Sequence, residues 1–257
     1  MSEGKTVQSV AKAMKLLEVL NESGAPMSLS EISQKTGWPK STIHGIHSTM
    51  REDSIVAQDT EGRYMLGIRL FEYGCALRAS WGFLDILKPY IDHISYETGE
   101  AVFLSVLDQG AGVTLDRAED LSGLLIRPDL GCRLPLHCTA EGKLFLAYMS
   151  EEDRDSILSD YSYSAYTGHT ITDYRTLMKE LEQIRVMGYA VENSEFKTGL
   201  RAIAAPVFNE AGLVQYAVGI IGMFRQIESE GFKKASSVVM STSKKMTEQL
   251  FKNDSQM

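Results

Sequence analysis

The sequence predicts an α+β fold in two parts: an N-terminal winged helix-turn-helix, then a linker helix leading into an antiparallel-sheet domain. Three observations lead there. Ser28 to Arg51 reads as a helix, a tight turn and a second helix. Ile55 to Leu66 reads as a short β-hairpin directly after them. From Ala101 onward, strand-like runs are grouped with turn residues and helical segments are grouped apart from them, which indicates an antiparallel sheet with helices beside it.

Taken in order, Val7, Val10, Ala11, Met14, Leu17, Val19 and Leu20 keep helical spacing, so a first helix runs from about Thr6 to Asn21 and ends at Glu22-Ser23-Gly24-Ala25-Pro26. Ser28 and Glu31 have the spacing in which hydroxyl and carboxylate satisfy each other's first-turn amides, so a second helix starts near Leu29. Gly37 tolerates positive φ, Trp38 is pushed toward extended backbone, and Pro39 suits the first turn of a third helix. That helix repeats Ile43, Ile46 and Met50 on one face, and carries Lys40, Ser41, Thr42, His44 and His47 as donors able to reach phosphates or base edges. Alone, two such helices also admit a simpler reading, a hairpin whose polar face is merely wet. The strands Ile55-Val56-Ala57-Gln58 and Arg63-Tyr64-Met65-Leu66, joined by Asp59-Thr60-Glu61-Gly62, make it a winged helix. Lys40, Ser41, Thr42 and His47 are expected to face double-stranded DNA, with Arg51 on the same helix and Arg63 on the wing. For His44 a packing role stands beside the DNA-facing one.

Composition sets bounds on this reading. At 257 residues and 44% apolar content, the chain suits two medium domains. No apolar leader or long apolar run is evident, so a cytoplasmic protein with no membrane partner is expected. Cys75, Cys132 and Cys138 are an odd number with no secretion signal, which implies reduced thiols. The spacing of Cys132, His137 and Cys138 matches no paired zinc pattern, and neither metal nor cofactor is expected. The net charge of −8 is awkward for a DNA-binding protein, but residues 1–75 hold eight cations against nine acids, which leaves −7 for the remainder. DNA contact must therefore rest on locally placed cations and on doubling by dimerisation.

After the wing, Gly67 to Ala79 is helical, with Leu70, Phe71, Tyr73, Cys75, Ala76 and Leu77 spread around it, a candidate linker and dimer-forming segment. A helix from Phe83 to Thr98 stops at Gly99. Strands follow at Ala101 to Leu107, Val113 to Arg117 and Leu124-Leu125-Ile126, with a turn at Asp108 to Gly112. Helices are expected at Thr139 to Met149, at Glu151 to Leu158, and from a Thr172 cap through Met187, closed by Gly188. Strands at Tyr189 to Glu192, Ala202 to Phe208 and Leu213 to Ile221 precede a final helix from Ser229 to Phe251.

This order, with Pro39-Lys40-Ser41-Thr42, Gly62-Arg63-Tyr64-Met65-Leu66-Gly67, Leu134-Pro135-Leu136-His137-Cys138-Thr139-Ala140-Glu141-Gly142-Lys143, Thr170-Ile171-Thr172, and Gly188-Tyr189-Ala190 through Ala204-Ala205-Pro206-Val207-Phe208-Asn209, resembles the IclR family of bacterial transcriptional regulators over nearly the whole chain. The resemblance implies a winged helix-turn-helix over 1–67, a linker helix over 68–82 and a GAF-like effector-binding domain over 83–257. It also implies operator DNA bound as a homodimer or dimer of dimers, and a small-molecule effector held by Thr139, Ala140, Glu141, Glu192, Ala202, Gly219 and Ile221. Three positions depart from the family pattern: Gly45 stands where an arginine is usual, Glu192 where an aspartate is, and Ala202 where a cysteine is frequent.

Two rival readings follow from the residues themselves. His137-Cys138 at a helix start offers a thiolate for a cysteine-dependent enzyme, though no third partner for it emerges. The sheet domain could also be a ligand-free dimerisation module. Within the effector reading, backbone amides at Thr139 to Gly142 suit an oxygen or anion. Glu141 and Glu192 would repel a carboxylate and favour a small hydroxyl-rich, neutral aromatic or cationic molecule. Leu124, Ile126, Ile203 and Ile221 are candidate apolar walls, and in the alternative Glu141 turns to solvent or pairs with Lys143 or Arg201.

Overall fold

The computed structural model describes residues 6–119 and 128–254. The predicted strand Leu124-Leu125-Ile126 lies outside the described residues, as do the wall candidates Leu124 and Ile126. The chain forms two compact units, Met1–Trp81 and Gly82–Met257.

The first unit comprises α1 (Gln8–Ser23), α2 (Leu29–Thr36), α3 (Lys40–Glu52), the strands β1 (Val56–Gln58) and β2 (Tyr64–Leu66), and α4 (Ile68–Ser80). Local signals set its breaks. Ser28 accepts from the Glu31 amide while Glu31 accepts from the Ser28 amide at 2.7 Å, so both first-turn donors of α2 are satisfied. Gly24 and Gly37 end α1 and α2 in the left-handed region, at φ 62 and 70°. Pro39 is the residue before α3 and not its first helical one. β1 and β2 pair antiparallel, and Met27 adds a bridge to Tyr64 that the sequence does not announce. Leu16, Leu20, Ile32, Ile43, Met50 and Tyr64 close the core.

α4 buries none of its residues within the chain. Ile68, Phe71, Tyr73 and Leu77 are 53–67% exposed. Gly67 sets its start, because a Cβ there would lie 2.0 Å from the Ser54 carbonyl oxygen.

The second unit is built on one antiparallel sheet of order β5-β4-β3-β8-β7-β6. Its elements are α5 (Gly82–Thr98), β3 (Ala101–Asp108), β4 (Ala111–Ala118), β5 (Arg133–Leu134), α6 (Ala140–Tyr148), α7 (Glu151–Leu158), α8 (Tyr174–Met187), β6 (Ala190–Asn193), β7 (Arg201–Phe208), β8 (Val214–Gly222) and α9 (Glu230–Asp254). A two-residue turn joins β3 to β4, with Gln109 and Gly110 at φ 42 and 74°, the backbone twist that hairpins favour. Asp173, and not Thr172, caps α8, accepting from the Thr176 amide at 2.9 Å. β5 is too short to show in the sequence.

Helices cover both faces, so β3, β7 and β8 read as unbroken apolar runs instead of alternating ones. α6 and α8 pack with Phe103, Ala202, Ala204 and Ala217 on one face. α5 and α9 pack against β3 and β7, where Ile203, Val218 and Ile220 alternate to the other face. No helix among the described residues is long and apolar enough to cross a membrane.

Two glycines, one inside the reading helix and one at the start of the linker helix, differ in what surrounds them. Gly67→Ala meets backbone and is expected to lower stability by about 1–3 kcal/mol. Gly45, inside α3 with nothing within 4 Å of a built Cβ, is expected to gain about 0.5–1 kcal/mol on replacement by alanine. Both tryptophans, Trp38 and Trp81, lie in this unit, so urea titration followed by their fluorescence checks both signs.

Candidate functional site

Two surfaces carry chemistry, one in each unit. On α3, Lys40, Ser41, His44, Ser48 and Arg51 are exposed and Thr42 is half-buried. Ser41, His44 and Ser48 stand at i, i+3 and i+7, so the outward ridge includes Ser48, which sequence reading missed. Gly45 leaves a gap in this ridge. Lys40 Nζ donates to Ser30 Oγ at 2.8 Å, which ties the start of α3 to α2. Arg63 is exposed on the wing, and its guanidinium pairs with the Glu61 carboxylate.

His47 is a correction. Expected to face DNA, it is fully buried, with its ring 4.3 Å from that of Tyr64 on β2. It shares the inner face with Ile43 and Met50 at i+4 and i+7, while Ile46 is only half-buried. Both ring nitrogens lack hydrogen-bond partners. Burial, and secondarily the neighbouring His44, push it down to about 4.

In the second unit a cavity of about 400 Å³ opens between the sheet, the start of α6 and the loop from β6 to β7. Of the expected effector residues, Thr139, Glu141, Glu192, Ala202 and Ile221 line it. Ala140 and Gly219 do not. Ala140 is buried in the α6–α8 core. Gly219 sits behind the wall, where a Cβ would lie 2.1 Å from the Ile203 carbonyl and 2.4 Å from the Phe103 ring, and the glycine thereby admits Phe103 as a wall residue. Ile203 points to the opposite face of the sheet.

The cavity also takes Thr114, Cys132, Phe196, Lys197 and Leu200, none of which the sequence singled out for it. Thr114 is 2% exposed and its hydroxyl has no partner. The helix start is less open than expected. Thr139 Oγ1 caps α6 by accepting from the Gly142 amide at 3.2 Å and donates to the Pro135 carbonyl at 2.8 Å, while the Glu141 amide hydrogen-bonds to its own carboxylate.

Glu141 and Glu192 are 4% and 3% exposed and have no ion-pair partner among the described residues. Burial pushes Glu141 up to about 7. Burial and then the charge of Glu141 push Glu192 up to about 8, although its Oε1 accepts from the Phe196 amide at 3.1 Å. The alternative partners are otherwise engaged: Lys143 binds Glu195 and Glu180, and the Arg201 guanidinium donates to the Phe224 carbonyl at 2.5 Å. Near pH 7 the pair therefore holds protons that exposed carboxylates would have released.

The surroundings of His137-Cys138 oppose nucleophilic chemistry. Burial first, then the charges of Glu192 and Glu195, push the Cys138 thiol up to about 12. His137 is held by the Tyr161 hydroxyl at 3.1 Å and the Ser164 carbonyl at 3.0 Å.

A winged helix-turn-helix with a polar outward ridge, carried on the same chain as a sheet domain whose largely apolar cavity holds a few buried polar groups, defines a DNA-binding regulator with its own effector domain. The model of the IclR helix-turn-helix domain matches residues 9–60, and that of the bacterial transcriptional regulator IclR C-terminal domain matches residues 79–248. The chain belongs to the IclR family of bacterial transcriptional regulators. It is 32% identical over 244 residues to the transcriptional repressor IclR of Escherichia coli, covering 94% of this chain and 89% of that one. It is 30% identical to the regulator XynR of the same organism, over 86% and 88% of the two chains. The crystal structure of an IclR regulator from Alicyclobacillus acidocaldarius superposes with a TM-score of 0.82 at 26% identity, covering 96% of this chain and all of the other. An IclR homologue from Microbacterium hydrocarbonoxydans, solved with 4-hydroxybenzoate, shares the fold at a TM-score of 0.80 and 21% identity, over 95% and 99% of the chains.

The burial of His47 makes the reading unit acid-sensitive. Its folded value of about 4 lies below the ordinary 6.5, so its contribution is fully present above pH 6.5 and is lost as the pH falls toward 4. Lowering the pH from 7 to 5 is expected to cost about 2 kcal/mol through this residue. His47→Leu should abolish that part of the loss in urea titrations at the two pH values, and an unchanged pH dependence would assign the acid sensitivity elsewhere.

Proposed function

We propose that this regulator is a cytoplasmic, non-enzymatic protein that binds operator DNA as a homodimer or dimer of dimers and responds to a small polar or aromatic metabolite held in the cavity. Lys40, Ser41, Thr42, His44, Ser48 and Arg51 form the DNA-facing set, with Arg63 on the wing. The single observation that carries the ligand reading is the pair Glu141 and Glu192, buried on one cavity with no ion-pair partner among the described residues, although Lys197 also lines it. Burying two carboxylates without partners is costly, and a module that served only dimerisation would gain nothing from it. A ligand bearing hydroxyl, amide or ammonium donors offsets that cost, whereas a dicarboxylate adds to it. Apolar wall from Phe103, Leu134 and Ile221 suits the rest of a compact molecule.

Dimerisation is supported by the uncovered apolar side chains of α4 together with Val7, just before α1, and Val10 and Met14 of α1, which are 55–62% exposed. One reading head with few unpaired cations makes few phosphate contacts, so doubling is the economical route to specific affinity.

Two measurements test the proposal. On DNA, Lys40→Ala is expected to weaken binding to all sequences and flatten the salt dependence by about one unit of slope; an unaltered slope in anisotropy titrations would remove Lys40 from phosphate contact. On the ligand side, a metabolite found by thermal shift should, in calorimetry, bind Glu192→Gln more weakly than Glu141→Gln. Tight binding of a simple dicarboxylate, indifferent to both substitutions, would show the opposite polarity.

A further inference from the structure

Lys143 does not line the cavity, and its side chain is wholly buried. Its ammonium lies 2.6 Å from Glu195 Oε1 and 3.2 Å from Glu180 Oε1, the latter on α8. Glu195 belongs to the seven-residue connection between β6 and β7 that brings Phe196, Lys197 and Leu200 to the cavity wall. An ion pair taken out of water is retained at a desolvation cost unless its remaining hydrogen-bonding capacity is filled. Here Glu195 Oε1 also accepts from the Asn193 amide at 3.2 Å, while Oε2 has no partner. That incomplete satisfaction is poor design for stability alone and points to a positional use.

The loop itself has two features that a fixed wall does not need. Ser194 adopts φ 59°, a left-handed conformation that a non-glycine residue keeps only when its surroundings impose it. Its hydroxyl donates to the Leu200 carbonyl and accepts from the Gly199 amide, both at 3.2 Å, which cinches the loop at its base. From outside, the Thr170 hydroxyl donates to the Glu195 carbonyl at 2.6 Å, and that of Thr167 to the Ser194 carbonyl at 2.7 Å. The loop is thus one cinched unit, held to α6 by the Lys143–Glu195 contact.

We infer that the Lys143–Glu195 ion pair is a positioning latch, which holds the 194–200 loop closed as the removable wall of the cavity. Lys143 is a positioning residue that sets access for a ligand it does not touch. This rests on reading the cavity as the effector site, but the latch is testable with neither effector nor DNA, so its failure would leave that reading standing. Cys132 supplies the readout. Its thiol lines the cavity and is half-buried, and Lys197 of the loop lies near enough to act on it electrostatically.

The experiment uses the full chain with the exposed Cys75 replaced by serine, and iodoacetamide as the probe, with Cys132 alkylation followed by peptide mass. Glu195→Gln is expected to label Cys132 at least about tenfold faster, a change of about 1.4 kcal/mol in the opening equilibrium. The double variant Lys143→Met with Glu195→Met leaves neither latch residue charged and is expected to fold, yet to label as fast as Glu195→Gln because the latch is still missing. Hydrogen exchange should quicken in residues 196–200 while β3 and β8 keep their protection. Unchanged alkylation in both variants, or exchange that quickens evenly across β3, β7 and β8, would overturn the latch and leave Lys143 a structural residue only.

Discussion

A carboxylate withdrawn from water must find a cation, hydrogen-bond donors or a proton. The effector domain is arranged around three that are withdrawn together. Glu195 pairs with the buried Lys143 ammonium, whereas Glu141 and Glu192 keep protons instead. This division follows from the geometry of α6. Residues two apart on an α-helix point about 200° apart, so Glu141 turns to the cavity while Lys143 turns away toward the loop and α8. One helix thereby sends an acid into the cavity and a base behind it, and the base cannot neutralise the acid beside it.

The cavity exists because the sheet is asymmetric in side-chain volume. On the face toward α6 the strands present Ala202, Ala204 and Gly219, whereas on the opposite face the neighbouring positions are Ile203, Val218 and Ile220. Small residues on one side leave room, and Phe103 occupies part of it over Gly219. The remaining volume ends at polar groups: the hydroxyl of Thr114, the two carboxylates and the capped start of α6.

Local chemistry was legible in the sequence wherever a few adjacent residues decide the outcome. Ser28 with Glu31, Gly37 and Gly188 set helix ends that hold in three dimensions. His47 was misread because its polarity was weighed above its spacing; Ile43, His47 and Met50 share one face, and an imidazole without partners can fill a core against Tyr64. Sheet order was not legible, since β3 pairs with β8 more than a hundred residues away and nothing local encodes it. The cavity was legible only in part. Thr139, Glu141, Glu192, Ala202 and Ile221 came from family resemblance, but Thr114 depends on register: strict alternation would put it on one face with Asp116, and the irregularity opposite Leu104 and Ser105 separates them.

The reading unit poses a different electrostatic problem, because its outward ridge is short in charge as well as in side-chain length. Ser41, His44 and Ser48 offer donors at close approach, Gly45 between them offers no side chain, and the ridge gives little long-range attraction. Arg63 is already paired with Glu61 at the surface. Bringing that guanidinium to a phosphate exchanges one solvated ion pair for another, and exposed pairs of this kind are worth about 0–1 kcal/mol. On the proposed reading, the wing therefore contributes more to orientation than to affinity. With both of these sources weak, the binding free energy must come from the number of heads that engage at once, which is the physical reason to connect the uncovered apolar faces of α1 and α4 with the reading of DNA.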